Sequence, residues 1–299
     1  MTIDFVKIRK YPYIFSSILI IIAIVGVILF GLKPGMDFIG GSLLELDISQ
    51  NKITTGQVNE ILKSLEVNDA IVTVVGEEGL LIRAKEISEE KHQEIISKIK
   101  GMFIGVEENR FESLGPAIGE ELKKKSFSGL IFVILGIALY LTWAFRKVSK
   151  PMSSWKYGVV TILALLHDVI IPTGLFAYLG YFLGWEVDST FITALLVILG
   201  FSVHDTIVVL DRIREKLRLQ PGLDFSETIN QSVNETMKRS INTSLALVLV
   251  LVALLVFGPG SLQIFVLILL IGTLFGTYSS IFIASPLLLD WYRLMKRQK

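Results

Sequence analysis

YIFSSILIIIAIVGVILFG, residues Tyr13–Gly31, is the stretch on which the architecture turns. It carries no charged side chain, and at about 1.5 Å per helical residue it reaches roughly across 30 Å of hydrocarbon. As a cleaved signal peptide it would leave a soluble protein behind. As an anchor it makes the rest of the chain a membrane protein. It is too long for the apolar region of a signal peptide and lacks an A-x-A-like site, so it reads as an anchor. Five further apolar runs are long enough to cross: Phe127–Phe145, Tyr157–Tyr181, Thr190–Leu210, Ile241–Phe257 and Leu262–Leu289. The fifth is short unless its polar start, from about Lys238, also lies at membrane depth.

The composition agrees. The chain has 299 residues and is 52% hydrophobic, more than an ordinary soluble domain uses. A net charge of +1 suggests neither a nucleic-acid groove nor an acidic ligand. The absence of cysteine excludes disulfides, thiolate nucleophiles and Cys-based zinc sites, and leaves the redox compartment open. No Walker loop, H-E-x-x-H or G-x-S-x-G occurs, so no enzyme is expected.

Basic residues set the expected orientation. Lys7, Arg9 and Lys10 precede the first run; Arg146, Lys147, Lys150 and Lys156 join the second to the third. Arg212, Arg214, Lys216, Arg218, Lys238 and Arg239 join the fourth to the fifth, and Arg293, Lys296, Arg297 and Lys299 end the chain. The other short loops, GWEVDS and GPGS, hold no Lys or Arg. Both termini are expected in the cytoplasm. Lys123, Lys124 and Lys125 fall on the other side, but after a long translocated segment, where the rule has little force. Trp143, Trp155, Trp185 and Trp291 all fall at expected span ends, as an aromatic belt requires.

Residues 32–126 differ in kind and read as an external domain, flanked by residues 1–31 (N-terminus and first span) and 127–299 (the other five). SLLELDI alternates, with Leu44, Leu46 and Ile48 on one face, and predicts a half-buried strand. TTGQVNEILKSL carries a Thr54/Gln57 capping box ahead of Val58, Ile61, Leu62 and Leu65 at helical spacing. AIVTVV and GLLIRA predict two strands around a GEEG turn. SEEKHQEIISKIKG predicts a helix with Ile95, Ile96 and Ile99 inward and Gly101 as its stop, and NRFESL a last strand. The order β-α-β-β-α-β matches a ferredoxin-like sandwich. His92 reads as a solvated helix residue, since no second ligand type clusters near it. The expected fold is a polytopic α-helical membrane protein: six transmembrane helices with an external α+β domain between the first and second.

His167, Asp168, His204 and Asp205 are the ionisable residues within the apolar runs as drawn. Neighbours in sequence diverge by about 100° on a helix, so neither His-Asp pair faces one partner equally. Ser202, Asp205 and Val209 share one face of the fourth helix; Arg239, Asn242 and Thr243 form a polar stripe on the fifth. Asp205 and Arg239 lie toward the same side of the membrane, which permits a pair between neighbouring helices. Asp205 has two readings: a carboxyl that fixes helix packing, or one that loads and unloads a cation, most simply a proton. His167 and Asp168 admit the same two. A metal site built from both pairs lacks i, i+4 ligand spacing, and none is expected. The sixth helix repeats Gly272, Gly276, Ser280 and Ala284 at intervals of four, a close-packing face.

Taken together these motifs resemble the SecF family of the Sec protein-export machinery, within the resistance-nodulation-division (RND) superfamily. The resemblance covers essentially the whole chain. DFIGG, Asp37–Gly41, enters the external domain, and LGPAIGEEL, Leu114–Leu122, leaves it. LHDVIIP, GFSVHDTIVVLDRIRE, NETMKRSINTS and GTYSSIFIASPLL follow in the family's order on the later helices. Within them Gly40, Gly41, Gly115, Pro116 and Gly119 belong to the domain-flanking motifs.

The resemblance implies an RND-type half with SecD as partner, beside the SecYEG channel, with an accessory membrane subunit in the same assembly. It further implies a translocating unfolded polypeptide as substrate, the cytoplasmic membrane of a prokaryote as location, and use of an ion-motive force. No cofactor is implied beyond a transported proton or sodium ion. Asp205 and Arg239, joined by His204, Asp168 and His167, become the implied ion relay. The family usually has Asn where this chain has His204, which adds a protonation step or replaces an amide hydrogen bond. The alternative function is half of an RND-type ion-driven small-molecule exporter, which expects a larger external domain. A metal-dependent membrane enzyme and a purely structural Sec subunit are the other classes.

Overall fold

Apolar length and composition produce, among the described residues, six helices able to cross a membrane in the computed structural model. The structure describes residues 3–48, 53–75, 79–146, 151–220 and 222–297. Lys147, Lys150, Lys299 and the first three residues of the GEEG turn lie outside the described residues.

In chain order, α1 (Phe5–Ile8) leads into α2 (Lys10–Phe30), then α3 (Met36–Ile39), β1 (Gly41–Asp47), α4 (Thr55–Ser64) and β2 (Ile71–Val75). Next come β3 (Gly79–Ala84), α5 (Glu89–Met102), β4 (Glu107–Leu114), α6 (Pro116–Ala144) and α7 (Ser154–Leu183). Then follow α8 (Ser189–Leu219), α9 (Phe225–Phe257), α10 (Gln263–Ser279) and α11 (Ser285–Arg297). A π-helical turn, Ser280–Ala284, joins α10 to α11, so the sixth span is one helix, Gln263–Arg297. The polar start of the fifth apolar run is continuous with it in α9, which runs unbroken for 33 residues. The chain divides into two units, Met1–Lys33 with Ser128–Lys299, and Pro34–Phe127.

Pro34–Phe127 contains a four-stranded sheet in the order β2-β3-β1-β4, with β1 antiparallel to both β3 and β4. That is the sheet order of a ferredoxin-like βαββαβ sandwich. The alternation in β1 buries Leu44 and Leu46 against Val58, Ile61 and Leu62 of α4 and Ile95 and Ile99 of α5. Thr54 caps α4 as the sequence predicts: its hydroxyl accepts from Gln57 N at 3.4 Å, while Gln57 Oε1 accepts from Thr54 N at 3.0 Å. Two expectations fail here. The α5 helix passes through Gly101 to Met102, and the residue with left-handed φ (86°) is Gly105. His92 is buried, not solvated. It stacks on Phe111 at 3.7 Å and bonds to Glu89 at 3.2 Å and Glu108 at 3.0 Å. The imidazole is flat and apolar on its faces, so an aromatic on β4 covers it while two carboxylates satisfy its edge.

The domain-flanking motifs meet because β1 and β4 are neighbours, with Gly41 opposite Leu114. Gly40 has φ +77°, and a Cβ there would lie 2.7 Å from Pro116 Cα. A Cβ on Gly119 would lie 2.9 Å from Gly40 N. Glycine is required at both, at Gly40 by conformation as well as space. Gly115 is under no such constraint, since the nearest atom to its Cβ position is a Glu86 carboxylate oxygen at 3.6 Å. Asp37 lies in the first turn of α3.

In the other unit, α7 and α8 are the buried helices, and α2, α9 and α10 pack on them. Small residues set the spacing. A Cβ on Gly174 would collide with the backbone of Ala23 on α2, and one on Gly272 with Ile198 on α8. A Cβ on Gly276 would lie 3.0 Å from Ser202 Cβ. The predicted close-packing face of the sixth span therefore meets α8, and Ser280 extends it by bonding Thr206 at 3.0 Å.

Candidate functional site

Two carboxyls lie inside the helix bundle, and hydroxyl-bearing residues from neighbouring helices surround both. Asp168, on α7, is fully buried. Its Oδ2 accepts from Ser279 Oγ of α10 at 2.7 Å and also from Ser202 Oγ of α8. Its Oδ1 meets His167 Nδ1 at 2.8 Å. The two side chains still face different helices, as the roughly 100° between consecutive residues requires, Asp168 toward α8 and α10 and His167 toward α2. The other ring nitrogen, Nε2, lies 3.1 Å from Ser16 Oγ on α2.

Asp205, on α8, is 1% exposed and accepts from Ser244 Oγ of α9 at 3.3 Å. Ser244 in turn lies 2.5 Å from Thr277 Oγ1 of α10. Ser202, Asp205 and Val209 share the buried face of α8, as their spacing predicts. A charge at such a position is costly unless paired, and a buried carboxyl surrounded by donors can hold or release a proton without leaving its neighbours unsatisfied.

The structure does not bring Arg239 to Asp205. Arg239 is exposed, and among the described residues no ion pair joins the two. The reason is angular: Arg239 lies five residues, about 140°, around α9 from Ser244, which holds the face toward Asp205. His204 is exposed as well, about 100° from Asp205. Asn242 and Thr243 continue the exposed stripe with Arg239. Among the described residues no cluster of three His, Asp or Glu side chains fits a metal ion.

Sequence reasoning missed Ser16, Tyr278, Ser279, Ser244 and Thr277. Serines and threonines are unremarked in membrane helices, where they satisfy their own helix carbonyls. Thr277 does so too, donating to Thr273 O at 3.0 Å. Only the depth of Asp168 and Asp205 could have marked their neighbours.

The family model described as "Protein export membrane protein SecD/SecF, C-terminal" matches residues 94–294. The protein translocase subunit SecF of Thermobaculum terrenum is 40% identical over 97% of this chain and 94% of its own length. The chain belongs to the SecF family. The SecF of Synechocystis is 37% identical over 97% of this chain and 95% of its own. The crystal structure of SecDF from Thermus thermophilus, a translocon-associated membrane protein, superposes with a TM-score of 0.82 at 32% identity. That match covers 98% of this chain and 39% of the SecDF chain. This SecF-family chain is therefore a Sec translocase subunit and a multi-pass protein of the prokaryotic cytoplasmic membrane, with the α+β unit between its first and second spans.

Proposed function

We propose that this SecF-family chain joins a SecD-like partner beside the SecYEG channel and couples a proton or sodium gradient to export of unfolded polypeptides. The observation that carries the reading is the pair of buried carboxyls, Asp168 and Asp205, each held by hydroxyls from helices other than its own. A group that binds and releases an ion must sit where its neighbours tolerate both states, and rotating hydroxyls donate or accept as required.

The exposed His204 of α8 and the exposed stripe of Arg239, Asn242 and Thr243 on α9 support a protein partner, because polar side chains on the outside of a span bundle need a protein or water neighbour. The Thermus SecDF chain extends well beyond the 39% matched here, leaving room in one polypeptide for a second core. The loop charges favour both termini in the cytoplasm and the Pro34–Phe127 unit outside.

Isolation from native membranes in mild detergent tests the assembly, with a one-to-one complex with a SecD-like protein expected. Vesicles depleted of the chain should lose the gradient-dependent part of export and regain it on restoration. Recovery of a monomer alone, with undiminished stimulation in depleted vesicles, would contradict the proposal.

A further inference from the structure

The geometry points to a proton path that leaves Asp168 through His167, Ser16 and Tyr278 toward the N-terminal end of α2. It rests on the ion-coupling reading above and adds to it the identity of the ion and the route. The first span, by sequence only an anchor, supplies the middle of the path.

The contacts form a continuous series. Asp168 Oδ1 meets His167 Nδ1 at 2.8 Å, and His167 Nε2 meets Ser16 Oγ at 3.1 Å. Ser16 Oγ donates to the Tyr278 hydroxyl at 3.3 Å, and Tyr278 donates to the carbonyl of Pro12 at 3.0 Å. Ser16 and His167 are buried, and Tyr278 is half-buried. Tyr278 also lies against the His167 ring, centroids 6.1 Å apart, so both sides of the path are fixed. Ser16 sits six residues into α2, about 9 Å from its start, and Pro12 about 3 Å. The series thus runs from the interior of the bundle to the first turn of α2.

The donor directions agree along its length. Because Ser16 donates to Tyr278, its lone pair receives a hydrogen from His167 Nε2. Nδ1 of the neutral ring is then free to take a proton from Asp168. In one transfer the Asp168 proton moves to Nδ1, the Nε2 proton to Ser16, the Ser16 proton to Tyr278, and the Tyr278 hydroxyl turns from the Pro12 carbonyl, which only holds it in place, to release its own proton to a water near the start of α2. The imidazole gains a proton at Nδ1 as it loses one at Nε2, and each hydroxyl gains one as it loses one; the carboxyl becomes a carboxylate and the water a hydronium. Ring rotation or the reverse transfer resets the imidazole. A sodium ion cannot use this route, because the carboxyl, imidazole and two hydroxyls are in direct hydrogen-bond contact and hand on hydrogens without leaving space for an ion between them. Ser202 and Ser279 donate to the other carboxylate oxygen and hold the group in place through both states.

The test uses membrane vesicles holding the full chain with its native partners, and measures the increment in export driven by an imposed pH gradient in sodium-free buffer or by a sodium gradient at equal pH. Wild type should respond to the pH gradient. Ser16→Ala and Tyr278→Phe should each lose at least five-fold of that increment at normal complex yield, while Ser16→Thr, which keeps the hydroxyl, retains it. The wild-type increment should also fall in heavy water, and the residual increment of Tyr278→Phe should not. Full stimulation in both Ser16→Ala and Tyr278→Phe would overturn the path while leaving ion coupling intact. A wild type driven by sodium and not by the pH gradient would overturn the proton assignment. A wild type insensitive to both would remove the ion-coupling reading, and the path with it. If Ser16→Ala assembles poorly, Tyr278→Phe decides alone.

Discussion

Replacing Asp168 by alanine removes the acceptor that ties α7 to α8 and α10. Ser279 and Ser202 lose an acceptor and His167 Nδ1 loses the carboxyl hydrogen, but not equally. Ser279 Oγ already bonds Gly276 O at 3.0 Å and keeps that partner. Ser202 can turn to a carbonyl of its own helix, as Ser232 and Thr236 do on α9. His167 Nδ1 has no such recourse, and a stranded buried group costs about 1–3 kcal/mol. The lost carboxylate leaves a void about the size of one water, roughly 30 Å³. At about 24 cal/mol per Å³ that adds roughly 0.7 kcal/mol. The sum is about 2–4 kcal/mol.

Asparagine fills the same space, its amide donating to His167 Nδ1 and its oxygen accepting from the serines, so Asp168→Asn should cost less than about 1.5 kcal/mol, one hydrogen bond. At about 2–4 °C per kcal/mol, the midpoint of thermal aggregation in detergent should fall about 4–16 °C for Ala and about 6 °C or less for Asn. An alanine variant as stable as wild type, or an asparagine variant as damaged as alanine, would refute the reasoning.

On α7, Gly174→Ala should push α2 away, costing about 1–3 kcal/mol by overpacking, read as a lower detergent midpoint; no change would mean that α2 is loosely held. In the external unit, the Glu89 carboxyl is held below its ordinary value first by Gln93 and then by His92. A depressed acid stabilises above its unfolded pKa and loses that contribution as pH falls through the folded one, so the isolated unit should weaken below about pH 4.3. Glu89→Gln should flatten that acid limb in circular dichroism, and an unchanged limb would refute the assignment. Arg239→Met should leave the thermal midpoint of the solitary subunit within about 2 °C, as an exposed substitution does, while removing gradient-dependent export. A large loss of stability would mean that the arginine holds this subunit together by itself.

The fold was legible where one physical signal dominated. Apolar length marked the six spans, alternation marked β1, and the Thr54/Gln57 box marked the start of α4. The ends were less legible, because Gly101 has helical φ and ψ and tertiary packing carried α5 past it. His92 was misread because its neighbours, Glu108 and Phe111, come from β4, which a window on α5 does not contain. The candidate site was half legible. Asp168 and Asp205 announce themselves by being acids among apolar residues. Their partners are serines and threonines on α2, α8, α9 and α10, and only three-dimensional packing brings them together. The angle that separates Arg239 from Ser244 was computable from helix geometry, but which face of α9 meets α8 was not.

Asp205→Asn tests the ion-coupling account most directly. The membrane potential offers about 2.3 kcal/mol per elementary charge per 100 mV, and a side chain taps it only by changing charge during a cycle. Asparagine keeps the shape of Asp205 and its hydrogen bond from Ser244 but cannot take up and release a proton. The measurement is export into membrane vesicles with and without an imposed ion gradient, alongside complex yield. The account predicts normal yield, normal export without a gradient, and no stimulation by the gradient. Full gradient-dependent stimulation in Asp205→Asn, or loss of export together with loss of the complex, would contradict it.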